Sequence, residues 1–139
     1  MADVIHLTCW PTPDRLALGI RLRSLGGEWH SAAEELVQLD TGYSEALLAP
    51  YRLFEVLNLQ RRRLPAPSAP IGSIVTGQVL RFMEAWAEVH IPQTGDQHRL
   101  IVQTFAGNTH FLIGRAFLRK FKVLLDGPGG QMCLMIASE

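Results

Sequence analysis

One carboxylate in this chain is placed by its context for acid–base chemistry. In Leu36-Val37-Gln38-Leu39-Asp40-Thr41-Gly42-Tyr43-Ser44 an apolar run leads straight into an acid, a hydroxyl and a glycine. Asp and Gly are ordinary turn residues, so the tripeptide taken alone reads as the end of a strand. As chemistry, an aspartate there can act as a general base toward water, and a second, protonated carboxyl beside it could polarise the group under attack and later return a proton. Two like charges a few ångströms apart do not both ionise easily, so such a pair shares one proton. Asp-Thr-Gly occurs once, and Asp126 lies in Leu125-Asp126-Gly127-Pro128, which lacks the hydroxyl residue and reads as a turn. If Asp40 works in such a pair, its partner comes from a second copy of the chain related by a two-fold axis.

Other chemistries find less support. His6, His30, His90, His98 and His110 show no i, i+4 pairing and no neighbouring carboxylate pattern, so no metal site is expected. Cys9 and Cys133 lack zinc-site spacing and cannot make a disulfide framework, which reads as two buried thiols in a reducing compartment. Thirteen basic residues balance thirteen acidic ones, so no global field draws the protein to nucleic acid or an anionic membrane. Arg61-Arg62-Arg63 reads as a solvated loop ahead of Pro65, Pro67 and Pro70. No window approaches the roughly 20 apolar residues of a membrane span, and Met1 to Trp10 lacks a signal-peptide pattern. The expectation is a cytoplasmic protein.

The elements that must position Asp40 are short strands. At 139 residues, with 47% apolar and 19% charged, the chain suits one globular domain with a core of its own. Leu16, Leu18, Ile20 and Leu22 alternate, predicting a strand over 15–24 that turns at Gly26-Gly27. Residues 29–39 return as a second strand ending at Leu39, although 31–35 equally suits a helical turn. Pro50 opens a helix to about Leu57. Residues 71–75 and 78–91 flank Thr76-Gly77, a hairpin signal. A strand over 99–105, a short helix over 115–120 and a hairpin across Gly127-Pro128-Gly129-Gly130 complete a mostly β domain with two short helices.

The order of these features resembles the retropepsin-like aspartic proteases, and most closely their small bacterial members. Asp40-Thr41-Gly42 comes first, then a flap-like hairpin, then Phe111-Leu112-Ile113-Gly114-Arg115, with an aromatic after the tripeptide and Leu47-Leu48-Ala49-Pro50 following. The resemblance covers about residues 16–135. It implies an acid protease barrel, one lobe per chain, with a core over about 15–136 and a flap over about 71–85 tipped by Thr76 and Gly77. It implies that Asp40 is catalytic and that Thr41 ties two active-site loops together across the dyad. Gly42 lets backbone approach the substrate closely, a place where a residue without Cβ is required. Leu112, Ile113 and Gly114 would pack behind the loop.

Two departures matter. The acid that pairs with the arginine in retroviral members falls at Ser44, next to Glu45, so either Glu45 rebuilds the pair with Arg115 or the lock is absent. Tyr43 stands where a small residue is usual, and a ring there would narrow the adjoining subsite. The expected function is a homodimeric endopeptidase acting on extended peptides without metal or cofactor. The alternatives are a dimerisation or peptide-binding module on the same fold, and an unrelated small barrel whose Asp-Thr-Gly is only a turn.

Overall fold

The computed structural model describes residues 4–12, 14–59, 71–73 and 79–138. Eleven strands and two short helices follow one another among them. The Arg61–Arg63 run, the proline-rich stretch and the expected hairpin tip Thr76-Gly77 lie outside the described residues.

A closed barrel forms the body, in the order β2-β3-β9-β4-β8-β7. Strand β2 (Ala17–Ser24) pairs antiparallel with β3 (Glu35–Leu39) on one side and with β7 (Met83–Ile91) on the other. Strand β7 in turn pairs with β8 (Asp96–Thr104), which pairs in parallel with β4 (Leu47–Leu48). Strand β9 (Leu112–Ile113) closes the ring between β3 and β4. Alternation builds the interior, since Leu18, Ile20 and Leu22 of β2 meet Ala85, Ala87, Val89 and Ile91 of β7 inside, all of them fully buried. The alanines leave room for Phe54 and Phe117, which fill the core from the two helices α1 (Tyr51–Val56) and α2 (Arg115–Leu118).

Strand β3 starts later than the expected 29–39. His30 explains this: its Nδ1 accepts a 2.9 Å hydrogen bond from the Leu22 amide, while its own amide donates to the Leu22 carbonyl at 2.8 Å. The ring thus takes a ladder position that backbone would otherwise fill, and the Arg21 guanidinium holds the Ser31 carbonyl at 3.0 Å. Leu47 and Leu48 form β4, and the helix begins after Pro50, as expected. Strands β5 (Ile71–Ser73) and β6 (Val79–Arg81) form a separate two-stranded sheet, the base of the expected hairpin.

The two chain ends make a second sheet, β1-β11-β10, from β1 (Val4–Pro11), β11 (Gln131–Ser138) and β10 (Lys122–Asp126). Strand β1 pairs with β11 along its whole length within one chain, from Val4↔Ser138 to Pro11↔Gln131. In that register Cys9 stands opposite Cys133, and the two are joined by a disulfide. The sequence reading of two separate thiols is corrected here. Residues 124 positions apart give no sign of pairing until the strand register sets their Cα atoms 4.0 Å apart. No helix among the described residues is long and apolar enough to cross a membrane.

Candidate active site

Asp40 follows directly on β3, and the loop it opens is held from below. Its amide donates to the Ile113 carbonyl at 2.9 Å, extending the parallel pairing of Gln38↔Leu112 and Leu39↔Ile113 by one residue. The Gly114 amide reaches the Ala46 carbonyl at 3.0 Å, and the Arg115 amide reaches the Tyr43 carbonyl at 2.8 Å. Both limbs of the loop are therefore bonded to residues 113–115. Leu112, Ile113 and Gly114 pair with β3 and with the loop that Asp40 opens. Ile113 is fully buried, a placement that contributes about 1.5–3 kcal/mol for a side chain of its size and fixes the platform under the loop. At Gly114 a Cβ would overlap the Glu45 carbonyl oxygen and come within 2.6 Å of the Tyr43 ring, so the close approach admits glycine alone.

The polar tips remain available. The Asp40 Oδ1 accepts a 2.9 Å hydrogen bond from the Gly42 amide, which orients the carboxyl; Oδ2 bonds to no described residue. Thr41 is exposed and its hydroxyl has no partner among the described residues. Gly42 and Ser44 are also exposed. A Cβ on Gly42 would meet Asp40 Oδ1 at 3.1 Å, tight enough to disturb the carboxyl it orients.

Tyr43 turns toward the protein. Its hydroxyl donates to Gln103 Oε1 at 2.5 Å, and the Gln103 amide nitrogen donates to Glu84 at 3.0 Å. Burial, reinforced by the negative charges of Glu45 and Glu84, pushes the Tyr43 phenol well above its usual range, so it stays a neutral donor. Gln103 is 3% exposed, and this chain, from loop to β8 to β7, satisfies a polar group the core would otherwise leave stranded. Sequence reasoning missed Gln103 and Glu84, since nothing in their spacing points to Tyr43.

Arg115 is exposed and makes no ion pair with any described residue; the pairs present are Arg23–Glu88 and His30–Glu35. Of the two outcomes open for the Arg115 lock, the one without Glu45 is found within the chain. Arg115 instead lines an open apolar groove of about 410 Å³ with Leu16, Leu39, Thr41, Leu118, Arg119, Val123 and Leu125. The groove runs from the Asp40 loop to β10.

The fold finds a counterpart among solved structures. EIAV protease in complex with the inhibitor HBY-793 superposes with a TM-score of 0.54, covering 77% of this chain and 88% of that one at 13% identity. The fold is retropepsin-like. At that identity the likeness is one of architecture, a single-lobe barrel with two short helices. No family model matches the chain, and no curated protein matches it in sequence.

Proposed function

We propose that the chain is one half of a homodimeric, retropepsin-like aspartic endopeptidase. The observation that carries the reading is the Asp40 loop itself: a carboxyl oriented through Oδ1, with Oδ2 and the neighbouring Thr41 hydroxyl bonded to no described residue, on a platform built by Ile113 and Gly114. A second copy supplies the missing carboxyl. The ionised Asp40 of one subunit takes a proton from a water whose oxygen attacks the scissile carbonyl carbon. The protonated Asp40 of the other hydrogen-bonds the carbonyl oxygen, and the amide nitrogen takes up a proton as the C–N bond breaks. The Thr41 hydroxyl of each subunit bonds the opposite loop. The hairpin founded on β5 and β6 closes over an extended peptide and excludes water.

The Cys9–Cys133 bond bears on where this happens. Such bonds persist in oxidising compartments and are uncommon in a reducing cytosol, which weighs against the cytoplasmic location expected from the sequence.

The test is cleavage of a peptide library by wild type and by Asp40→Asn, with circular dichroism and sedimentation of both. Asp40→Asn keeps the shape and removes the group that accepts the proton, so hydrolysis should fall by several orders of magnitude with folding intact. Equal cleavage by the two proteins overturns the assignment of Asp40. A well-formed dimer with no cleavage by either leaves the peptide-binding module as the reading.

A further inference from the structure

The terminal sheet ends in a strand whose outer edge no described strand pairs with. Strand β11 is paired on both sides, by β1 and by β10, and the Cys9–Cys133 disulfide fastens β1 to it. Neither chain end is therefore free to exchange with a second subunit. Strand β10 has β11 on one side only, and its Leu124 and Leu125 are 40% and 53% exposed. It carries no proline, and its two central leucines leave it the kind of unblunted edge that invites pairing.

The backbone phase of that edge can be read from the register. Cys9 and Cys133, with Cα atoms 4.0 Å apart, occupy a narrow, non-hydrogen-bonded position of the β1–β11 ladder. The Thr12 amide, three residues on, donates to the Gly130 carbonyl at 2.8 Å, as the alternation requires. The amide and carbonyl of Cys133 consequently face β10, where its partner is Leu124. Along β10 the groups of Lys122, Leu124 and Asp126 point to β11, and those of Val123 and Leu125 point to the open edge. Val123 and Leu125 also line the apolar groove that reaches Thr41.

We infer that β10 is the dimer interface: two copies pair antiparallel, β10 to β10, on a two-fold axis at Leu124, making a continuous six-stranded sheet beneath the two Asp40 loops. The sequence Lys122-Val123-Leu124-Leu125-Asp126 is self-complementary in that register. Val123 and Leu125 exchange backbone hydrogen bonds with Leu125 and Val123 of the other copy, Leu124 meets Leu124, and each Lys122 faces an Asp126. Among the described residues, Lys122 is exposed and makes no ion pair, and Asp126 meets no cation, its carboxylate accepting from the Gly129 amide and the Gln131 side chain. Moving the axis to Val123 or Leu125 removes the match of Lys122 with Asp126. The second copy also covers the groove beside Thr41, which brings the two Thr41 hydroxyls toward the same axis.

This inference rests on the homodimer proposed above and is tested separately from catalysis. Leu124→Cys places two thiols at a narrow ladder position across the axis, within disulfide reach. Mild oxidation should convert most of that variant to a covalent dimer by intact mass, while Leu7→Cys, on the opposite edge of the sheet, should not link. Lys122→Glu, which sets like charges opposite each other, should weaken dimerisation in sedimentation by about tenfold. A wild-type dimer in which Leu7→Cys links and Leu124→Cys does not overturns the β10 interface and leaves the protease reading standing. Cross-linking through Leu124→Cys without peptide cleavage supports the interface and counts against the protease. Monomers alone at all concentrations remove both.

Discussion

A β-carbon added to Gly114 would stand 2.6 Å from Cδ2 of Tyr43 and overlap the Glu45 carbonyl oxygen. The backbone angle φ at Gly114 is −105°, open to any residue, so the restriction is space alone. Gly114→Ala must push the Tyr43–Glu45 segment away from residues 113–115, and the Asp40 loop moves with it. The expected loss is about 3 kcal/mol of stability in urea unfolding, the upper end for an overpacked site. Peptide cleavage, if Asp40 acts as proposed, should fall by at least tenfold in protein that is still folded.

Tyr43→Phe keeps the ring against Gly114 and deletes the bond to Gln103. Gln103 Oε1 would then be buried without its donor, a loss of about 1–3 kcal/mol. Denaturant melts of Tyr43→Phe and of the double variant Tyr43→Phe, Gln103→Leu distinguish this from a simple packing change. The double variant should recover part of the loss, because neither Tyr43 nor Gln103 then keeps a buried polar group, while the half-buried Glu84, which loses its bond from Gln103, can turn to water.

Reducing the Cys9–Cys133 bond opens a covalent loop with a sequence separation of 124. Cys9→Ser, Cys133→Ser should lose about 2–5 kcal/mol relative to the oxidised protein. Thermal melts with and without a phosphine reductant, alongside thiol counting on the unfolded protein, measure it. Two titratable thiols in protein purified without reductant would show the bond does not form.

Acid should destabilise the fold between pH 7 and 5 through its histidines. Burial lowers the pKa of His98, which stands edge-on to Phe117 and Phe121 with ring centroids 5.5 and 5.4 Å away; the Lys120 charge adds to this and the Asp96 charge opposes it. Burial, together with the Arg21 and Arg23 charges, lowers that of His90. A lowered histidine binds fewer protons folded than unfolded, so stability falls as pH drops below the unfolded value of about 6.5, until the native ring titrates too. Glu88, whose pKa is lowered first by its Arg23 hydrogen bond, acts only at more acid pH. The melting temperature of His98→Phe should therefore drop less than that of wild type over pH 7 to 5.

Local features of the fold were legible in the sequence where punctuation and period agree. The Gly127–Gly130 turn, the alternation of Leu18, Ile20 and Leu22, and the helix after Pro50 all appear in the structure. What could not be read depends on partners distant in the chain. Leu47–Leu48 and Leu112–Ile113 are two-residue strands, too short to show a period, and exist because β3 and β8 offer them edges. The pairing of β1 with β11, and the cysteine bond within it, needs a register no local pattern encodes. Asp40, Gly114 and their neighbours stood out by composition and order; the inward turn of Tyr43 did not, since it depends on Gln103 and Glu84.

The bond between Cys9 and Cys133 also decides how the molecule carries tension. Val4 and Ser138 are opposite one another at the same end of the terminal sheet, so a pull on the two ends peels β1 from β11 one residue pair at a time. With the disulfide closed, peeling halts at Cys9 after an extension on the order of 30 Å, at about 3.4 Å per residue, and the barrel bears no load. With it open, the same pull reaches the whole chain between the cysteines, roughly 400 Å of contour. Under force, the barrel is sheltered by a bond that is not part of it.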